Sequence, residues 1–253
     1  MPPSSILTKA MALLDLIAAS RTAMTLPEIA EASGLPKSSA HRLLVHLREA
    51  DALAFDSLRQ TYRPGSRLLR WGAQTQTNSN LVAAATPHMK ALCAKTGLRV
   101  ALSVLDGAAV LFLHTVETGA PFRLAPRVGE HSPLHASAAG KIFLAGMDAK
   151  DQNKLLSKCD FEQCTEFTIT DADDLREEIK RVADQGYAIS AREEHRQTCG
   201  LALAVEGSNK APLAALSLWD LGGPELLERL EAHITVVRET TFQIRKSIGL
   251  TDT

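Results

Sequence analysis

Two helices that must start and stop between Thr25 and Leu53 constrain this chain more than any other feature. The stretch reads TLPEIAEASGLPKSSAHRLLVHLREADAL. Thr25 supplies a hydroxyl N-cap, Pro27 and Glu28 suit a first helical turn, and Gly34 is a stop. Pro36 then opens a second helix near its first position. Ala40, Leu43, Leu44, Leu47 and Ala50 recur at helical spacing, while Lys37, Ser38, His41, Arg42, Val45 and Arg48 share the other side. Two short helices joined by a Gly-containing turn match a helix-turn-helix, whose second helix offers its N-terminal residues to a DNA major groove. An isolated KSSAHR is equally a solvated helix face; its neighbours decide between the two.

Those neighbours are a helix from about Ser5 to Ala19, apolar at Leu7, Ala10, Met11, Leu13, Leu14 and Ile17, and a hairpin in ALAFDSLRQTYRPG with its turn around Asp56 to Gln60. Helix, helix, helix, hairpin is the order of a winged module. Lys37, Ser38, Ser39, His41 and Arg42 would face the groove, with Arg42 reading a guanine edge or clamping a phosphate. Thr25 joins this polar set, and Arg59, Gln60 and Arg63 would lie near the DNA backbone. Residues 1–75 hold nine Lys+Arg against six Asp+Glu, the remainder 19 against 23, so a small basic part is joined to a larger acidic one. A module this small needs a second copy to cover a duplex site, so dimerisation follows, with the first helix and the linker helix as its contacts.

SRLLRWGAQTQTNSNL is amphipathic at first and then loses its apolar stripe, as a linker helix would. Beyond it come a helix in VAAATPHMKALCAKTG, two strands around Asp106-Gly107, a helix in PLHASAAGKIFLAGM entered from a Pro-containing loop, and a helix over 171–185 capped by Asp171. YAISA, LALAVEG and APLAALSLW read as strands, and PELLERLEAHITVVRETTFQIRKSIG as one long closing helix. The fold class is therefore α+β: an N-terminal winged helix-turn-helix over 1–66, a linker helix over 67–80, and an antiparallel sheet flanked by helices over 81–253. Apolar residues make up 45% and charged ones 23%, ordinary for a folded chain. No run approaches the roughly 18 apolar residues of a bilayer span, and the N-terminus lacks a signal-peptide pattern, so the expectation is a cytoplasmic protein with no membrane partner. Cys93, Cys159, Cys164 and Cys199 stand in no CxxC spacing and read as reduced thiols.

In SPLHASAAGK, the small residues Ala136 to Gly140 begin a helix and are followed by Lys141. Such a start either bares N–H groups to a carboxylate or lets the helix pack closely on a sheet. Glu193, Glu194 and His195 stand together in REEHR, and His131 and His135 are four apart, which raises an alternative: a ligand- or zinc-binding enzyme or interaction module without a DNA role. Pro133 between the two histidines opposes a shared helical face. No GxSxG, HExxH, P-loop or dinucleotide fingerprint is present, so no catalytic residue, metal ligand or cofactor is assigned.

TLPEIAEASGLPKSSAHRLLVHLREADAL, YRPGSRLLRWG, RVGEHSPLHASAAGKIFLA and GYAISAREEHRQTCG follow one another as successive blocks that resemble the IclR family of bacterial transcriptional regulators. The resemblance implies a double-stranded DNA operator, repression more often than activation, and a homodimer or tetramer. It also implies a GAF-like C-terminal domain that binds a small organic-acid effector. Carried over by position, the effector site comprises Leu124 and Ser132 on loop walls, Ala138, Ala139 and Gly140 at the helix start, and Ala191, Leu201 and Ser217 on later strands, with Cys199 the alternative to Leu201. Members that take small keto acids carry an acidic residue at the position of Ala191 and a second hydroxyl near Trp219. The resemblance therefore admits an aromatic or longer acid here beside glyoxylate or pyruvate. Coupling to DNA would pass through Leu68 to Gln76.

Overall fold

The computed structural model describes residues 5–78, 80–118 and 127–250, with the backbone alone at 73–78 and 80. It divides into two compact units, Met1–Ser79 and Asn80–Thr253. In the first, α1 (Ile6–Ala19) is followed by β1 (Met24–Thr25), α2 (Leu26–Ser33), α3 (Lys37–Glu49), β2 (Leu53–Asp56), β3 (Thr61–Pro64) and α4 (Ser66–Asn78). The Ser5 hydroxyl caps α1 by accepting from the Thr8 N–H at 3.1 Å. Gly34 ends α2 at φ +66°, a left-handed conformation that glycine adopts without strain, and turns the chain into α3. Leu13, Leu14 and Ile17 of α1 meet Ile29 of α2, Leu43 and Leu44 of α3, and Leu53 and Tyr62 of the hairpin in one buried cluster. The wing is thus part of the core, which fixes it against α3. Its third strand, β1, pairs Met24 with Tyr62 and Thr25 with Thr61; two residues are too few for a period-2 pattern to reveal.

The second unit contains α5 (Asn80–Thr96), β4 (Arg99–Asp106), β5 (Ala109–Val116), β6 (His131–Pro133), α6 (Ala138–Ala145), α7 (Ala149–Leu156), α8 (Ala172–Gln185), β7 (Ala188–Ala191), β8 (Thr198–Glu206), β9 (Pro212–Leu221), α9 (Pro224–Glu231) and α10 (Ile234–Ser247). Its strands form an antiparallel sheet in the order β6-β5-β4-β9-β8-β7. Side-chain alternation separates two cores. Val100, Leu102, Leu201, Leu203, Leu216 and Leu218 point toward α5, α9 and α10, while Val110, Ala202 and Ala215 point toward α6, α7 and α8. The α6 face of β8 and β9 is lined by small residues, and α6 answers with its own Ala138, Ala139 and Gly140.

Beside β1, three features differ from the sequence expectation. α7 was not foreseen, although Asp148 caps it by accepting from the Asp151 N–H at 2.8 Å. The segment His131–Pro133, expected as loop, is an edge strand whose Ser132 pairs with Val110. The single closing helix is two. His233 takes φ −101° and ψ 1° and sends its N–H to the Leu230 carbonyl at 3.0 Å, directly before the β-branched run Ile234-Thr235-Val236-Val237, which loses side-chain freedom in a helix. Of the linker expected over 67–80, residue 79 lies outside the described residues.

Gly140 is where α6 comes closest to its neighbour: a Cβ there would stand 2.2 Å from the Leu134 carbonyl oxygen and 2.5 Å from its Cα. Backbone has to move to admit one methyl group. Gly140→Ala is expected to destabilise the chain by about 1–3 kcal/mol in denaturant unfolding, the usual range for overpacking; an unchanged midpoint would mean that the contact is looser than described.

Candidate functional site

The first candidate surface lies on α3. Pro36 is its N-cap and offers no side-chain acceptor, so the N–H groups of the first turn are uncapped. Lys37, Ser38, His41 and Arg42 are exposed, and none of them is hydrogen-bonded or ion-paired to another described residue. Ser39 is half-buried beside the buried Ala40. An open groove of about 680 Å³ runs from Thr25, Leu26 and Pro27 across Lys37, His41, Val45 and Arg48 to Phe55, Gln60 and Tyr62 of the wing. Lys37, His41, Val45 and Arg48 of α3 and the wing therefore share one side of this unit. Phe55 stacks on Tyr62 with ring centroids 4.7 Å apart, and the Arg48 guanidinium lies 5.7 Å over Phe55, which ties wing to helix.

Not every predicted residue is equally free. Thr25 is half-buried and committed: its N–H donates to Glu28 Oε2 at 2.7 Å and its hydroxyl at 2.8 Å, so it caps α2 rather than standing open to solvent. Those two bonds, the backbone one foremost, hold the Glu28 carboxyl below the usual range. At the wing, Arg59 lies 3.4 Å from Asp56 Oδ2, Gln60 donates to the Ser57 carbonyl at 2.7 Å, and Arg63 is exposed.

The second candidate surface surrounds the start of α6. Ser137 caps the helix by accepting from the Gly140 N–H at 3.1 Å and donates its own proton to the Pro133 carbonyl. The N–H groups of Ala138 and Ala139 have no acceptor among the described residues. Lys141, only 1% exposed, turns away from that end. Its ammonium donates to Glu193 Oε1 at 2.7 Å, Glu178 Oε1 at 3.2 Å and the Ile189 carbonyl at 2.9 Å. Arg181 pairs with the other oxygen of Glu178. Burial pushes the Lys141 pKa below the ordinary lysine range against the opposing pull of Glu193. Thr165 and Thr168 grip the Arg192 and Glu193 carbonyls at 2.8 and 2.7 Å, which positions the carboxylate; its Oε2 is buried with no partner among the described residues.

Lys141 follows the small-residue helix start in sequence, but in the structure its charge is consumed within the fold. The sequence did hold a signal for this: one lysine inside the apolar AAGKIFLA, and Glu178 on the same stripe as Leu175, Ile179 and Val182. Ser132 is likewise engaged, donating to Glu194 Oε2 at 2.7 Å. Ser217 lies between Ala101 and Ala202 on the α6 side of the sheet, beside the small cluster of Ala101, Phe112 and Trp219. Cys199 and Leu201 point to the opposite face, into the α5–α10 core, and alternation sends Ala191 the same way as Ile189. One residue of register separates the two faces. Gly200, Ala202 and Ala204 of β8 share a side with Ser217, and Ala202 is its direct partner. Gly140 packs on Leu134, and Leu124 lies outside the described residues.

The histidines do not converge. His131 bonds Asp106 at 2.8 Å, whereas His135 is buried against Phe161 and bonds the Glu162 carbonyl at 3.0 Å. Among the described residues no three His, Cys, Asp or Glu side chains are grouped to hold a metal. All four cysteines are free thiols whose pKa burial pushes up.

A helix-turn-helix with an open cationic face and a wing, followed by a separate α+β unit, defines a two-part DNA-binding regulator. The IclR helix-turn-helix domain model matches residues 6–57 and the model of the bacterial transcriptional regulator IclR C-terminal domain matches 73–243. The chain belongs to the IclR family of bacterial transcriptional regulators. It is 36% identical over 187 residues, 74% of this chain and 67% of the relative, to the HTH-type transcriptional regulator BhcR of Paracoccus denitrificans. It is 28% identical to the transcriptional repressor IclR of Escherichia coli, covering 84% of this chain and 78% of that one. A solved IclR homologue from Microbacterium hydrocarbonoxydans, complexed with 4-hydroxybenzoate, superimposes with a TM-score of 0.80 at 24% identity, over 98% of this chain and all of the other. Family and relatives alike are regulators rather than enzymes. Among the described residues no helix is long and apolar enough to cross a membrane.

Glu194 generates a pH dependence. Burial raises its carboxyl pKa, opposed by the Ser132 hydrogen bond and by His195. A carboxyl whose folded pKa lies above its unfolded one binds more protons in the native state between those two values, so it costs stability as pH rises through that window. The stability gained in Glu194→Gln over the parent is expected to grow as pH climbs from the ordinary glutamate range and to level off above the raised pKa, read by denaturant unfolding across pH. A difference that stays constant with pH would contradict the shift.

Proposed function

We propose that the chain is a cytoplasmic repressor that binds a double-stranded operator as a homodimer or a pair of dimers and is modulated by a small carboxylic acid. In this reading residues 1–66 are the DNA-binding domain, 67–80 the linker helix and 81–253 the effector domain. Lys37, Ser38, His41 and Arg42 enter the major groove, Ser39 and the uncapped first turn of α3 meet phosphate, and Arg59, Gln60 and Arg63 follow the backbone beside it. Thr25 acts by holding α2 in place. The observation that carries the reading is the α3 face itself: Lys37, Ser38, His41 and Arg42 are exposed with no side-chain partner among the described residues, and Lys37 and His41 line the same groove as the wing. Such cations are most economically explained by an absent polyanion.

The effector is received by the bare N–H groups of Ala138 and Ala139, with Ser217, Gly200 and Ala202 as the sheet-side floor and Phe112 and Trp219 as an apolar rim. That rim, and the 4-hydroxybenzoate of the Microbacterium protein, favour an aromatic acid over a two- or three-carbon one. Ser132 takes part through its bond to Glu194. The ligand acts by binding one arrangement of the assembly better than another; couplings of about 1–3 kcal/mol are typical, and no contact between ligand and DNA is required. The exposed Ile6, Leu7 and Met11 of α1 and Leu69 and Trp71 of α4 supply apolar surface for a second copy.

Fluorescence anisotropy with the duplex upstream of the chain's own gene tests the DNA assignment. Affinity is expected to fall steeply with salt, by a log–log slope of about 0.9 per phosphate neutralised. Arg42→Ala should weaken binding about tenfold or more while the melting temperature is kept. Equal affinity of parent and variant would remove Arg42 from the interface.

A further inference from the structure

We propose that Leu58 is an apolar wedge which the wing drives into the minor groove of the bound duplex, partly unstacking a base step. Leu58 is 95% exposed at the tip of the β2–β3 turn. Turn tips normally carry Gly, Asn, Asp, Pro or Ser, because those residues satisfy the local backbone and lose nothing to water. A leucine there gains nothing from its own protein.

Hydrogen bonds order the turn backbone that carries that leucine. Asp56 Oδ1 accepts from the N–H groups of Leu58 and Arg59 at 2.9 and 3.1 Å, and the Gln60 side chain closes the loop onto the Ser57 carbonyl at 2.7 Å. Gln60 itself is left-handed at φ +55°. Four hairpin registers, from Leu53↔Pro64 to Asp56↔Thr61, and the Arg48–Phe55–Tyr62 stack fix the wing on α3. The ordering cost of presenting Leu58 is therefore met within the free protein, which is what a binding element requires.

Charge and position select the occupant. Leu58 is followed in the turn by Arg59, and the wing, through Phe55, Gln60 and Tyr62, shares the groove that Lys37, His41 and Arg48 line. The other exposed large apolar side chains of this unit, Ile6, Leu7, Met11, Leu69 and Trp71, lie on α1 and α4 instead. An isolated leucine beside Arg59, at the tip of a hairpin that lines the α3 groove, does not suit a protein partner's apolar core. It does suit a narrow, negatively charged groove whose base steps open to leucine, isoleucine or phenylalanine, a mode in which unstacking is repaid by a kinked duplex that reaches more protein.

The inference rests on the DNA reading above, and its test separates the two. The upstream duplex is prepared with 2-aminopurine at successive steps flanking the footprint of the full-length chain. The parent is expected to raise 2-aminopurine fluorescence at one A·T-containing step on each side of the site, and netropsin, a minor-groove ligand, to abolish that rise. Leu58→Ser should bind about tenfold more weakly, as loss of a buried leucine implies, with no fluorescence rise, and Leu58→Phe should restore both. The proposal is overturned if Leu58→Ser binds and unstacks like the parent, or if no step brightens while the parent binds tightly. Failure of the parent to bind any duplex in a salt-dependent way would instead remove the DNA reading and the wedge with it.

Discussion

The buried ammonium of Lys141 is the interaction on which the geometry of the second unit depends. Its three acceptors come from three different elements: Glu178 from α8, the Ile189 carbonyl from β7, and Glu193 from the turn after β7. One charge thus sets how α6 lies over the sheet. Ion pairs this deeply buried are weak evidence for net stability, since the desolvation of each partner costs several kcal/mol, but removal of one member strands the others and costs about 3–5 kcal/mol. What the cluster supplies is position. With Gly140 pressed on Leu134, it holds the first turn of α6, in which the N–H groups of Ala138 and Ala139 have no acceptor among the described residues.

The same economy recurs in the first unit with uncharged means. Thr25 and Glu28 close the start of α2, Gly34 turns the chain, and Pro36 begins α3 without a side-chain cap. One helix start is satisfied from within and the next is left bare. The helix left bare carries Lys37 and Arg42, whose side chains have no partner among the described residues. At α6 Ser137 caps only the Gly140 N–H and leaves those of Ala138 and Ala139 without an acceptor among the described residues, so both helix starts keep N–H groups of the kind that suit anions.

Much of the fold was legible because its signals are local. The caps at Thr25 and Asp171, the stops at Gly34 and Gly186, and the amphipathic stripe Leu13, Leu14, Ile17 each depend on a few adjacent residues. The closing helix was misread because apolar spacing continues in phase across His233, from Leu226 and Leu230 to Val237 and Ile244, although the backbone breaks there. The site was harder to read because it depends on parity. In TCGLALAVEG a shift of one residue moves Cys199 and Leu201 to the far core and brings Gly200 and Ala202 to the α6 side. Strand periodicity reveals that two faces exist but does not say which of them lies beneath α6. The Lys141 cluster was equally non-local, since Glu178 and Glu193 stand 37 and 52 residues away.

The central claim is that a small carboxylate docks on the start of α6 and the adjacent stretch of β9. Hydrogen-exchange mass spectrometry on the full-length chain tests it most directly, with the ligand chosen as whichever of glyoxylate, pyruvate, benzoate and 4-hydroxybenzoate most raises the melting temperature. Exchange is expected to slow in the peptides covering Ser137 to Lys141 and Ala215 to Trp219. A stabilising acid that protects neither segment, or a panel in which no acid stabilises the chain, would contradict it.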